Sequence, residues 1–260
     1  MSAVVAALRA EWVKIRTLRS TVWSLLTAFA LCAGLGLLFG LTLRGGFGRM
    51  DQEARANFDP VVAGFYSLTI GQIALVVFGV LLVTGEYGGG SIRLSLTAVP
   101  RRGMFYGAKV VAGTLTALVF SLVTGFVTFF TAQSALGPHG VSLGAPGVLR
   151  AVLFACVYLT LICVFAMGVA AMLRGTALSL GILIPLLFLD SQGVGNLPKV
   201  RTVAQFLPDQ AGLVMMRVVK PDPSFITYRG FGPWTALGIL LAWTAAALAG
   251  GLLVLNRRDA

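Results

Sequence analysis

The 260 residues are 57% hydrophobic and only 11% charged, with 32 glycines and a net charge of +11. Soluble domains carry roughly 25% charged residues, so this composition, with a mean hydropathy of +0.90, excludes an ordinary water-soluble fold. The basic excess does not read as nucleic-acid binding either, which needs a basic stripe on a soluble fold. Here Lys and Arg stand between apolar runs, where they hold loops on the cytoplasmic side and meet anionic headgroups.

At the N-terminus Val5, Leu8, Trp12 and Ile15 recur at helical spacing, flanked by Arg9 and Arg16 on one side and by Glu11 and Lys14 on the other. The pattern predicts an interfacial amphipathic helix over residues 3–19, with Trp12, Lys14 and Arg16 as its anchor at headgroup level. A basic anchor without helix is the alternative. Charge-free runs follow, long enough to cross about 30 Å of hydrocarbon at about 1.5 Å per residue. They predict an all-α integral membrane protein, a single transmembrane domain over 1–260. Its spans fall at about 20–43, 61–85, 108–133, 149–173, 175–193 and 233–255. The first run is longer than a signal-peptide core and reads as a retained span. Gly137, Pro138, Gly140, Pro146 and Gly147 end the third, and Pro233 suits the first turn of the last.

The fifth span is the least regular. Few uncharged residues separate Arg174 from Asp190, and Pro185 lies among them. A short or broken helix, a helix running on past Asp190, and a re-entrant pair all fit. Asp190 itself reads as a cargo contact or as an outer-interface residue.

Sidedness follows from the short basic segments. Arg9, Lys14, Arg16 and Arg19 precede the first span, Arg93, Arg101, Arg102 and Lys109 follow the second, Arg174 follows the fourth, and Arg257 and Arg258 follow the last. With six spans these all share one side, which places both termini in the cytoplasm of a multi-pass cell-membrane protein. Small residues at four-residue spacing (Gly36 with Gly40, Gly113 with Ala117, Ser121 with Gly125, Ala242 with Ala246 and Gly250) suit close helix packing, within the bundle or in a dimer.

Enzyme chemistry has no foothold in the sequence. Cys32, Cys156 and Cys163 lie in apolar runs, and His139 stands alone in a Gly/Pro-rich loop, so neither a metal nor a redox site is expected. The chain has no GxSxG, HExxH or GxxxxGK[ST] pattern. No carboxylate falls at mid-span depth, where ion-coupled carriers keep their relays. Energy is therefore expected from outside the lipid.

The stretch 86–107 stands out. Glu86 at the membrane edge is followed by glycines, then Ile92, Leu94 and Leu96, a stop at Pro100, the pair Arg101-Arg102, and Lys109 at the start of the next span. From the residues alone this is either a short helix that presses into a soluble partner or an ordinary basic loop. The pattern E-[YF]-x3-[ST]-I-[RK]-x2-L-x3-P-x-[RS] with a later Lys resembles ABC-2 type exporter permeases of the actinobacterial type. Glu86, Tyr87, Ser91, Ile92, Arg93, Leu96, Pro100, Arg102 and Lys109 occupy its positions. The opening LRAEWVKIRTLRS is similar to that family's interfacial helix, QFLPDQAG (205–212) to its outer LP-x2-AG motif, and LNRRDA to its basic tail.

This resemblance implies a permease that exports an amphipathic or lipid-like substrate, paired with a second copy or a paralogue. It also implies a separate ABC ATPase subunit that carries ATP and Mg, with no cofactor on this chain. Residues 86–107 would form the coupling loop, with Glu86, Ser91, Ile92, Arg93, Leu96, Pro100, Arg101 and Arg102 contacting or positioning the ATPase. Residues 197–219, with Leu207 and Pro208, would form short outer re-entrant helices. The sequence departs from the family at Gly88-Gly89-Gly90, which puts the start of a coupling helix nearer Ser91. The alternative is an ATP-independent polytopic protein, either a secondary carrier or an assembly or immunity factor.

Overall fold

Without water, each backbone N–H and C=O must be met inside the chain, and a helix does this within one segment. The computed structural model describes residues 3–17, 19–88, 102–188, 201–220, 222 and 229–257, and among them every regular element is helical. Near the N-terminus come α1 (Ala3–Thr17), α2 (Arg19–Gly46), α3 (Gln52–Ala56), α4 (Pro60–Phe65) and α5 (Leu68–Gly88). Then follow α6 (Arg102–Leu136), α7 (Val148–Leu173), α8 (Thr176–Phe188), α9 (Arg201–Ala204), α10 (Pro208–Met216) and α11 (Pro233–Arg257). Five of these, α2, α5, α6, α7 and α11, are long and apolar enough to cross a membrane. α8 is apolar but has 13 residues, a rise of about 20 Å. Ser91, Ile92, Arg93, Leu96, Pro100, Arg101 and Asp190 lie outside the described residues, as do 189–193 of the expected fifth span and 197–200 of the outer segment.

α7 forms the axis of the bundle. It is buried on nearly all faces, whereas α2 and α11 are mostly exposed. α11, α5 and α6 pack around α7, and α2 packs on the far side of α6. Between lipid-solvated helices no hydrophobic force acts, so close backbone approach carries the packing. A Cβ at Gly168 would lie 2.6 Å from the Ala247 carbonyl carbon, and one at Gly40 would lie 2.6 Å from the Ala135 Cβ. Only hydrogen at these positions lets α7 meet α11 and α2 meet α6. The outer faces of α2, α6 and α11 carry exposed Leu, Val, Phe and Trp side chains, among them Trp23, Val119, Phe130 and Trp234. In water such faces would aggregate; in lipid they are solvated.

Two local departures from the predicted spans have physical causes. The run expected over 61–85 is split into α4 and α5. The Ser67 hydroxyl donates to Gly64 O at 3.0 Å and the Thr69 hydroxyl to Tyr66 O at 2.8 Å, and the backbone tightens to three-residue bonds there. Hydroxyls that bond the preceding turn compete with the helix ladder. α6 starts at Arg102, ahead of the predicted 108, because Phe105 and Tyr106 are buried in the core and Arg102 bonds the end of α11, and this packing holds the turn despite Gly103 and Gly107.

The described chain ends meet at one end of the bundle, the Glu86 end. There the Arg102 Nη1 donates to Leu255 O at 2.8 Å and the Arg174 Nη2 to Val254 O at 3.1 Å, so two guanidinium groups cap the last turn of α11. Arg174 itself terminates α7 with a left-handed φ of 57°. Asp59 organises the opposite end. Its Oδ1 accepts from Val61 N at 3.0 Å and Val62 N at 3.1 Å, capping α4, while its Oδ2 accepts from Val218 N at 2.7 Å and Val219 N at 2.8 Å. Arg150 donates through Nη1 to Met215 O at 3.3 Å and through Nη2 to Arg217 O at 2.6 Å. These two side chains fasten α10 across that end. Leu207 is the N-cap residue of α10, and Pro208 is buried at its first turn.

Candidate coupling site

Three helices converge at the Glu86 end, and each brings charge. α5 carries Glu86 in its last turn, α6 carries Lys109 two turns from its start, and α1 lies against α6 with Glu11 buried and Lys14 at the edge. The face of α1 that meets the bundle runs through Ala7, Glu11 and Ile15, all buried, while Val5 and Trp12 are exposed. Positions 7, 11 and 15 are four apart and so share one helix face. Small Ala7 allows close approach, and Glu11 enters the interior because cations wait there.

The four charged groups form a closed ring. Lys109 Nζ lies 2.7 Å from Glu11 Oε2 and 2.9 Å from Glu86 Oε1. Lys14 Nζ lies 2.9 Å from Glu11 Oε1 and 2.6 Å from the same Glu86 oxygen. The Lys109 ammonium also sits 5.4 Å from the centroid of the Phe105 ring, a cation–π contact. Two carboxylates and two ammonium groups leave the ring neutral, which is the condition for burying charge at modest cost. The Lys109 side chain is 3% exposed and that of Lys14 42%, so Lys109 is the inner keystone and Lys14 the rim. Burial would lower the Lys14 pKa, but its hydrogen bonds to Glu86 and Glu11 outweigh this and hold it above the ordinary 10.5.

Of the residues singled out by the sequence, Glu86 and Lys14 are joined directly, through that 2.6 Å pair. Trp12 and Arg16 are exposed on α1, outside the ring. Arg102 is turned to the end of α11. Leu207 and Pro208 belong to the far end of the bundle. In the sequence Glu11 falls on a helix flank, and Lys109 falls among the loop cations and at a motif position. The Glu11/Lys14 spacing of three is a weak local signal of pairing; the contacts to residues on α5 and α6 have no local signature.

The ring has no nucleophile, and its charges satisfy one another. What it can do is fix geometry. It fixes the last turn of α5 and the first turns of α6 to each other and to α1.

Helices that cross a bilayer, joined at one end by buried ion pairs, define a multi-pass α-helical membrane protein. Residues 7–190 match the family described as ABC-2 family transporter protein, and the chain belongs to that family. It is a membrane permease of the kind that works with an ABC ATPase subunit. A search of curated proteins finds no match.

Proposed function

We propose that the chain is the membrane half of an ATP-driven exporter that moves an amphipathic or lipid-like substrate outward. It would work as a pair with a second copy or a paralogue, in contact with membrane lipids, and with both termini in the cytoplasm. The observation that carries this reading is the Glu11–Lys14–Glu86–Lys109 ring, which grips both flanks of the segment expected to meet the ATPase. A push on residues 89–101 would swing α5 and α6 together, and α1 would slide with them along the headgroup plane. Glu86 then acts as a positioning residue for the coupling loop, while Ser91, Ile92, Arg93, Leu96, Pro100 and Arg101 supply its contact surface.

Parity supports six crossings. The described ends of the chain share one end of the bundle, which requires an even number of traverses. α8 starts at that same end, where the Thr176 and Thr84 hydroxyls are 2.7 Å apart, and heads toward the other. Leu187 O near its far end accepts from Gln72 Nε2 at 3.3 Å. Counting α8 with the five long helices gives the even number.

The test is co-purification of the full chain with a candidate P-loop ATPase, with ATP hydrolysis measured in nanodiscs. Ile92→Asp should abolish co-elution and leave the melting temperature of the permease unchanged. If no ATPase binds and export continues after ATP depletion, the ATP-independent reading takes its place.

A further inference from the structure

Gln72 and Tyr158 are polar side chains set among apolar helices, and both are buried. The Tyr158 hydroxyl on α7 donates to Gln72 Oε1 on α5 at 2.7 Å, and Gln72 Nε2 donates to Leu187 O on α8 at 3.3 Å. An unpaired hydroxyl or amide inside a membrane is costly, so the two bonds hold α5, α7 and α8 together at one point. α10 rests on the same ring. A Cβ at Gly212 would lie 2.5 Å from both Cδ2 and Cζ of Tyr158, well inside contact distance. Only a glycine lets α10 seat there.

Tyr158 stands about 15 Å along α7 from Val148, at about 1.5 Å per residue. Deeper still, Trp243 of α11 packs edge-on against Phe165 and donates its Nε1 to Phe206 O, just ahead of α10, at 2.8 Å. The other end of α10 is fastened by Asp59 and Arg150. α10 is thus held at both ends and seated on Tyr158 between them. Beside it lies a cavity of about 110 Å³, bordered by Thr69, Gln72, Tyr158 and Leu187 and, from α10, by Leu213 and Met216. Asp209 and Gln210 of α10 stand on the same wall, so the lining is mixed. One water needs roughly 10–15 Å³, and this space holds several.

We propose that α10 is a strap across this cavity and that Tyr158 is the positioning residue through which α5 holds it. With its hydroxyl on Gln72, the ring is fixed in the tilt that Gly212 fits. A shift of α5 carries the tip of the ring with it and rocks α10 about its Asp59-fastened end. The cavity then widens or narrows with the position of α5, the helix that bears Glu86 in its last turn. The inference rests on the exporter reading only in making the cavity part of a cargo route.

Amide exchange, followed by mass spectrometry on the full chain in nanodiscs without an ATPase, tests it. A failure here leaves the co-elution result standing, and the reverse. Tyr158→Phe keeps the ring and removes the bond. It should speed exchange across 208–216 at least about tenfold while the rest of α7 keeps its protection. Gln72→Met should do the same and, having lost the bond to Leu187 O, should loosen α8 as well. In the double variant α10 should exchange no faster than in Gln72→Met alone, because both changes remove one bond. Gly212→Ala, which fills the contact from the other side, should speed α10 with the bond intact. If Gln72→Met does not fold, Tyr158→Phe, the milder change, decides alone. Unchanged exchange of α10 in Tyr158→Phe would mean that ring packing by itself seats the helix, and multiplied effects in the double variant would mean that Gln72 acts by another route; either overturns the proposal.

Discussion

Without the Lys109 ammonium, Glu11 and Glu86 would face each other with side chains only 4% and 11% exposed. An uncompensated buried charge costs about 3–5 kcal/mol, so Lys109→Met should lose about that much. Lys14 is nearly half exposed, and its removal should cost within about 1 kcal/mol. Unfolding of the detergent-solubilised chain measures both, and equal losses would show that the ring has no inner and outer member. Reversing only that pair, with Glu86→Lys/Lys109→Glu, sets like charges against Lys14 and Glu11 and should not recover the loss. The pKa of Lys14 is raised, so its contribution is whole below the ordinary 10.5 and is lost only as pH climbs through the raised value. A stability titration near neutral pH should therefore show no step from this group. Of these residues, Glu86 was visible in the sequence because a carboxylate at the edge of a charge-free run is conspicuous. Glu11 was not, because face assignment follows hydrophobicity, and its cationic partner Lys109 is brought to it only by the packing of α1 on α6.

At the scale of helices, the charge-free runs made the all-helical, multi-pass class legible, since only lipid tolerates so much apolar surface. The spacing of Gly36 with Gly40 marked a face that does pack, against α6, but the Ala242–Ala246 face is exposed and the Gly168–Ala247 approach had no such signal. Gly168 faces Ala247 across the α7–α11 contact, while Gly238 on α11 has nothing near its absent Cβ. Gly168→Leu should force those helices apart and cost about 1–3 kcal/mol or more. Gly238→Ala should be neutral or stabilise by up to about 1 kcal/mol through helix propensity. A thermal melt of the two variants separates a packing glycine from a permissive one. The break between α4 and α5, and the tether of α10, were hidden because each depends on a side chain reaching a distant backbone. Asp59 is the case in point. Asp59→Ala should cost about 1–2 kcal/mol as a lost helix cap. It should also speed amide exchange at Val61, Val62, Val218 and Val219 together. Faster exchange in α4 alone would mean that α10 is held by Arg150 without help.

For the whole molecule, the ring raises a question of stability against alignment. Glu86→Leu/Lys109→Leu removes one charge of each sign and leaves Glu11 with Lys14, still 2.9 Å apart. Replacing a buried ion pair by apolar groups of similar volume is often neutral for folding, so this double variant should melt within about 1–2 kcal/mol of the parent, unlike Lys109→Met. Leucines, however, pack in many rotations, whereas two ammonium groups shared between two carboxylates admit few. With the joint slackened, a movement of residues 89–101 would no longer turn α5, α6 and α1 as one body. The expected outcome is a well-folded permease that still binds its ATPase and supports ATP hydrolysis, while transport per ATP falls severalfold in proteoliposomes. The separation matters because a ring that merely helped the bundle fold would give the opposite pattern, with transport tracking stability across the single and double variants. Full transport in the Leu/Leu chain would reduce the ring to packing and move the search for the coupling joint to the contacts of Arg102 and Arg174 at the end of α11, another polar joint at that end of the bundle.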